Sequence, residues 1–350
     1  MNMFGWPKNG GGRRTPSDTV LCDYFDQEIV ILSDGGLTTC VIDNKGQNRF
    51  ANIYKHDFQE AIRLHLETKR KFVLDAAQTP ACLTCVTYWK ERPHMYKRPE
   101  AIDPFVTMPF RSDRFAVEVT SRCNVRCKAC IHHEMANDLS SVRSGGNGFL
   151  DLNKTTEWLR PMWGKLKGLR MYNYGEPFLH KGLEDFCADI KQKSPGVVIG
   201  ISTNGTSFGT DKRINKIIDS KIDRIVVSLH GGTAELSRRY LGEDFQFEKA
   251  IDNVRRLMAA KRSRGAVKPT VNLKCVLFEW NDSEEAMTKF ADLADELGTD
   301  IYHFVPTGGD IGTKRLPPGS KAWADFAASG RARVQRTGQG AVRFVEADAA

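Results

Sequence analysis

Phe115-Ala-Val-Glu-Val-Thr-Ser-Arg-Cys-Asn-Val-Arg-Cys-Lys-Ala-Cys130 is an alternating apolar strand that runs directly into a C-x3-C-x2-C loop. Alternation at period two predicts a strand, and the loop sets three thiols, Cys123, Cys127 and Cys130, at its end. Two chemistries fit thiolates so spaced. They can hold three irons of a [4Fe–4S] cube and leave the fourth iron open to an outside ligand. They can also hold zinc, which in a structural site wants four closed ligands and would take its fourth from His132 or His133.

Outward from this loop the pattern alternates strands with helices, as in a parallel sheet with crossover helices. One predicted helix places Phe247, Ile251, Val254 and Leu257 or Met258 on one face. The next starts at Asp282-Ser283, carries Met287, Phe290, Ala294 and Leu297, and stops at Gly298. Beyond Gly308 the pattern fades, which predicts a loose tail or lid over 311–350. Residues 1–18, rich in Gly, Pro and Arg, read as a flexible start. A compact cysteine-bearing segment follows over 19–97, then a linker over 98–112 and a core over 113–310.

Downstream motifs arrive in a fixed order: Leu169-Arg-Met-Tyr-Asn-Tyr-Gly-Glu-Pro177, Val197-Val-Ile-Gly-Ile-Ser-Thr-Asn-Gly205, Ile222-Asp-Arg-Ile-Val-Val-Ser-Leu-His-Gly231, Val271-Asn-Leu-Lys-Cys-Val-Leu-Phe-Glu-Trp-Asn281 and Ile301-Tyr-His-Phe-Val-Pro306. With the cysteine loop, this series resembles the radical SAM superfamily over roughly residues 113–306. Ala129 stands where that family usually has a bulky residue near the adenine, a place Ile131 could fill. The resemblance implies an α/β fold, a partial (β/α)6 TIM-like barrel. It also implies a [4Fe–4S] cluster on Cys123, Cys127 and Cys130 that binds S-adenosyl-L-methionine (SAM). It places Tyr174, Gly175, Glu176 and Pro177 at the methionine end of SAM, with Ser202, Thr203, Asn204 and Ser228 completing the SAM site. A flavodoxin- or ferredoxin-type donor would supply electrons.

Four more cysteines precede the barrel: Cys22, Cys40, Cys82 and Cys85. Asp34-Gly35, between two apolar strands, predicts a hairpin that brings Cys22 and Cys40 near each other, and Cys82-Leu-Thr-Cys85 adds a chelating pair. The set resembles the auxiliary-cluster module called SPASM, or twitch in its shorter form, which implies a second [4Fe–4S] cluster. A zinc-bound structural domain is the alternative. Of the two remaining cysteines, Cys187 lies in a helical pattern and reads as core. Cys275 lies in a strand, where it is a buried small hydrophobe or a hydrogen-atom donor.

A net oxidation of a small polar molecule such as a sugar or cyclitol, with the auxiliary cluster as electron acceptor, accounts for the most features. His230, Lys274 and His303 are then candidate bases. The alternatives are an epimerase using Cys275, a peptide-modifying enzyme, and a non-catalytic zinc module. The net charge of +8 is diffuse, its densest run being Arg255, Arg256, Lys261, Arg262 and Arg264 at a predicted helix end. No nucleic-acid module is visible and none is expected to act. No apolar run approaches the ~18–20 residues of a membrane span, and the first residues carry no apolar signal region. Nine cysteines in this setting suit metal ligation in a reducing, cytoplasmic compartment.

Overall fold

The computed structural model describes residues 28–41, 43, 46–74, 79–83, 113–128, 130, 148–171, 173–336 and 342–344. Cys22, Cys85, Ala129, Ile131, His132 and His133 lie outside these residues, as do the expected start over 1–18 and linker over 98–112. The chain divides into two compact units. One holds the described residues of Pro7–Arg122 and Asp138–Ile199, the other those of Cys123–Asn137 and Gly200–Ala350.

In the first unit β1 (Ile29–Ile31) and β2 (Gly36–Thr38) form the predicted hairpin. Gly35 takes φ 79° in its turn, a region that glycine enters without the steric cost of a side chain. β3 (Ala51–Asn52) pairs with β2. On its other side β1 runs parallel to β4 (Arg114–Val117), and β4 runs parallel to β5 (Gly168–Met171). The hairpin therefore extends the sheet of β4 instead of standing apart. The buried Glu118 fastens the join, accepting from the Ser33 hydroxyl at 2.8 Å and from Asn173 Nδ2 at 2.9 Å. Helices α1 (Phe58–Leu74) and α3 (Leu152–Trp158) meet through Trp158, whose ring lies 4.9 Å from Phe58 and 6.1 Å from Phe115 of β4. Between them in the chain is the short α2 (Pro80–Leu83), and α4 (Leu183–Lys193) follows β5.

The second unit is built on β6 (Val198–Thr203), β7 (Arg224–Ser228), β8 (Thr270–Leu277) and β9 (Ile301–Pro306), parallel in that order. Parallel neighbours need long crossovers, supplied by α5 (Asp211–Asp219), α6 (Ala234–Leu241), α7 (Phe247–Ser263) and α8 (Glu284–Leu297). The apolar face predicted for α7 is the buried one. Ser283 caps α8 by accepting from Ala286 N–H at 3.2 Å, and Gly298 ends it in the left-handed region at φ 64°. The basic run is spent on neighbouring elements: Arg255 pairs with Glu296, Arg256 with Asp211, Arg264 with Asp219, and the buried Lys261 with Asp300.

The loose tail expected, beside a lid, over 311–350 is corrected for the described residues, which hold regular structure. Residues 321–328 form α9 (Lys321–Ala328), and β10 (Arg333–Arg336) pairs antiparallel with both β9 and β11 (Val342–Phe344). Phe326 of α9 packs 6.1 Å from Phe304 of β9, which gives this segment an apolar anchor. Among the described residues no helix is long and apolar enough to cross a membrane.

Candidate active site

In the second unit the cysteine loop is held at three points. Arg126 and Lys128 N–H donate to the Leu241 and Tyr240 carbonyls at 3.3 and 2.9 Å, seating the loop on the end of α6. Between them and Cys123, Asn124 reaches across to the end of β6. Its Nδ2 donates to the Thr206 hydroxyl at 2.7 Å, and its Oδ1 accepts from Asn204 Nδ2 at 2.8 Å. Asn204 Oδ1 in turn accepts from the Thr206 N–H and hydroxyl at 3.0 and 2.6 Å, closing the ring. Cys123, Cys127 and Cys130 are half-buried on this loop, and Cys130 N–H donates to Cys127 O at 3.0 Å. Among the described residues no three His, Cys, Asp or Glu side chains come together as a single-ion site.

Strand register sorts the remaining candidates by face. Side chains alternate along a strand, and paired residues share a face. Phe304 packs against Phe290 of α8 at 5.5 Å, so its face looks toward the helices. Its partner on β8 is Cys275. Cys275 therefore lies in the apolar layer with Val271, Leu273 and Leu277, and burial pushes its thiol pKa up. This corrects the expectation of a hydrogen-atom donor facing substrate, since Lys274 and Cys275 cannot face the same way. Thr203 is corrected for the same reason: it pairs with Val227 on the helix side, and its hydroxyl accepts from Gly205 N–H at 3.0 Å. Cys187 is fully buried in α4, as expected of core.

The helix-free face carries the polar groups. Ser228, Lys274, His303 and Arg333 are successive register partners across β7, β8, β9 and β10, one row over four strands. Ser202 lies on the same face, paired with Val226. His303 Nδ1 is 2.9 Å from Asn272 Oδ1, an atom that only accepts, so the neutral ring carries its proton there and keeps Nε2 as an acceptor. His230, just past β7 at φ 59°, is the opposite tautomer. Its Nδ1 accepts from Val276 N–H at 3.1 Å, which leaves the proton on Nε2. Burial, then Lys274 and His303, push the His230 pKa down to about 3. Burial, then Lys274, Arg333 and Arg224, push that of His303 down to about 3. Both rings are neutral at ordinary pH. The left-handed His230 is held by Asn281, whose Nδ2 donates to its carbonyl at 2.7 Å, and its ring meets that of Tyr240 edge-on at 4.7 Å.

The segment Tyr174–Pro177 belongs to the first unit. Gly175 takes φ 81° and lies so close to the end of β4 that a Cβ would meet Thr120 O at 2.0 Å. Glu176 N–H donates to Arg122 O at 2.8 Å. The buried Glu176 carboxylate caps the turn Pro177–Leu179, accepting from Phe178 N–H at 3.1 Å. Tyr174 is half-buried and Pro177 buried.

Also in the first unit, one loop relates two of the four N-terminal cysteines. Asp43, whose N–H donates to Cys40 O at 3.1 Å, accepts from Asn48 N–H at 2.8 Å. Asn48 Oδ1 accepts from Ala81 N–H at 3.2 Å, and its Nδ2 donates to Cys82 Sγ at 3.1 Å.

The radical SAM superfamily model matches residues 117–291, half of the chain. The chain belongs to the radical SAM superfamily. Its mixed α/β architecture with parallel strands is that of the family's partial TIM-like barrel. Among its relatives, the GTP 3',8-cyclase of Campylobacter fetus is 28% identical over 193 residues, 55% of this chain and 54% of that one. The tungsten-containing aldehyde ferredoxin oxidoreductase cofactor-modifying protein of Pyrococcus furiosus is 25% identical over 165 residues, 47% of this chain and 44% of that one. The chain thus spans about half the length of these curated relatives. Streptococcus suis SuiB, a solved structure, aligns at a TM-score of 0.44 and 13% identity over 85% of this chain and 65% of that one.

Membership implies SAM and a [4Fe–4S] cluster, and the donor set fits. Thiolates are the ligands iron–sulfur clusters take, and the three half-buried thiols sit on a loop fixed by backbone and side-chain hydrogen bonds. Asn124 and Thr206, which no motif singled out, emerge as positioning residues for that loop. The only local signal was an Asn directly after Cys123. Asn204, expected in the SAM site, has its side-chain oxygen committed to Thr206 and its nitrogen to Asn124. Asn204→Ala leaves buried groups unsatisfied, so it should cost about 1–3 kcal/mol in denaturant unfolding and speed iron loss to a chelator. Normal stability with weakened SAM binding would instead make Asn204 a cofactor contact.

Proposed function

We propose that this radical SAM enzyme carries out a net oxidation of a small polar molecule such as a sugar or cyclitol, using a second cluster on Cys22, Cys40, Cys82 and Cys85. The observation that carries the reading is the Asn48 amide placed 3.1 Å from Cys82 Sγ in a loop that opens at Cys40. A thiol sulfur is a weak acceptor, whereas a metal-bound thiolate is stabilised by such a donor. Cys123, Cys127 and Cys130 would hold the family's cluster, which with SAM bound would supply a 5'-deoxyadenosyl radical able to take a hydrogen atom from an unactivated C–H bond. A second cluster with four thiolate ligands would have no open iron and would supply an electron acceptor.

Oxidation of an alcohol to a carbonyl removes one hydrogen atom from carbon, one proton from oxygen and one electron. The proton would leave through His303 Nε2, which the tautomer keeps as an acceptor; with its pKa lowered to about 3 the ring is a weak base that passes the proton on and does not retain it. Ser228, expected at SAM, pairs with Lys274 on that face and is read here as offering its hydroxyl to a polar substrate instead. Tyr174–Pro177 and Ser202 remain the assigned contacts to SAM, and a flavodoxin- or ferredoxin-type protein the assigned donor. Cys275 faces the helical layer, which leaves the epimerase reading without its hydrogen donor.

The test is anaerobic reconstitution followed by a screen of small polar substrates. The wild-type chain should bind about eight irons, four per cluster, and a Cys82→Ala, Cys85→Ala variant about four. The variant should still release 5'-deoxyadenosine yet lose the product two mass units lighter than substrate. Zinc at these cysteines, or product isomeric with substrate, would reverse the assignment.

A further inference from the structure

We infer that the substrate carries an anionic group, a carboxylate or phosphate, and that Lys274 is its anchor. The inference rests on the reading that substrate binds at the helix-free face of the second unit. The geometry is the row Ser228–Lys274–His303–Arg333. Paired residues on neighbouring strands lie about 5 Å apart, so the row sets two cationic side chains on either side of a neutral imidazole, with a hydroxyl at its end. No Asp or Glu stands in it.

A desolvated ammonium is normally paired, because its desolvation is costly, and Lys274, half-buried, is desolvated enough for its pKa to fall. Lys261 shows the ordinary solution in this protein, a salt bridge to Asp300. Lys274 does not have it. Among the described residues no carboxylate lies within bonding distance of its ammonium, and burial lowers its pKa with no acidic neighbour to offset the effect. Its charge is felt instead by His230 and His303, both of which it helps hold neutral. The two rings then present complementary groups, an Nε2–H donor on His230 and a bare Nε2 on His303. A cation, an N–H donor and the Ser228 hydroxyl suit the oxygens of an anion. The acceptor on His303 suits a hydroxyl beside it. An anion arriving at Lys274 would supply the partner the fold withholds.

Lys274→Met tests this on the full, reconstituted chain with SAM bound. Met replaces the ammonium with an apolar chain of similar length, so the variant should fold and unfold at a higher temperature than wild type. Inorganic phosphate and malonate serve as probes in calorimetric titrations, and their comparison separates phosphate from carboxylate recognition. At least one should bind wild type, and bind Lys274→Met at least tenfold more weakly. Lys274→Arg should restore most of the affinity, and SAM should bind Lys274→Met within twofold of wild type. Equal probe binding by Lys274→Met, or no binding of either probe to wild type, overturns the anchor. A tenfold loss of SAM affinity also overturns it, by moving Lys274 to the carboxylate of the cofactor. Release of 5'-deoxyadenosine by wild type is measured alongside. Its absence strikes the radical reading, while its presence with no anion binding strikes only this one.

Discussion

Replacing Cys123, Cys127 and Cys130 together by Ala is expected to reduce 5'-deoxyadenosine release to background while the chain stays folded. The thiols are half-buried on a loop whose hold comes from elsewhere: from Asn124 on Asn204 and Thr206, and from Arg126 and Lys128 on α6. Removing the sulfurs therefore removes cluster ligands and leaves the hydrogen bonds that shape the loop. Three thiolates bind three irons and leave one for SAM, so losing all three removes the site and not merely its affinity. Iron at Cys22, Cys40, Cys82 and Cys85 should persist at about four per chain. Cys187→Ala is the control, since its thiol is sealed in α4 and its loss should leave SAM cleavage intact. SAM cleavage by the triple variant under reducing conditions would end the assignment.

Gly175→Ala should be among the most destabilising single changes in the first unit. Two costs coincide there. The backbone sits at φ 81°, where a side chain costs roughly 1–2 kcal/mol. The added methyl would also lie 2.0 Å from Thr120 O, a backbone atom that cannot swing aside. Overpacking of this kind typically costs about 1–3 kcal/mol, so the sum is about 2–5 kcal/mol. Gly164 separates the two costs. It shares the positive φ, at 74°, but a Cβ there would meet nothing within 4 Å. Gly164→Ala should show the backbone cost alone, roughly 1–2 kcal/mol in denaturant unfolding. Equal losses in the two variants would mean that the Thr120 contact relaxes. Normal stability of Gly175→Ala would mean that Tyr174–Pro177 is not strapped to the end of β4.

Much of this was legible because it is local. Ser283 and Gly298 bound α8 as their capping chemistry predicts, Asp34-Gly35 turns the first hairpin, and α7 buries its apolar stripe. The motif order carried the family. What was hidden depends on contacts between distant residues. The pairing of β1 with β4 joins residues 86 positions apart, and Asn124 meets Asn204 across 80. The strand β10 is four residues long and gains its place by pairing with β9, so nothing within 333–336 announces it. The faces of β8 are a different case. Thr270, Asn272 and Lys274 alternate with Val271, Leu273 and Cys275, and that alternation already sets Cys275 with the apolar residues.

The two-faced β8 also constrains how such a protein can change over evolutionary time. Its odd positions, 271 to 277, fill the layer against the helices, while Asn272 and Lys274 belong to the helix-free face. Inserting or deleting one residue within the strand would exchange the two sets, pressing an ammonium among leucines and presenting a thiol where the lysine stood. The strand can therefore vary in spelling but not in length. New specificities are open to it through substitutions at 272 and 274, read independently of the positions that keep the protein folded. Adaptation of this enzyme to a different substrate would be written in every second letter.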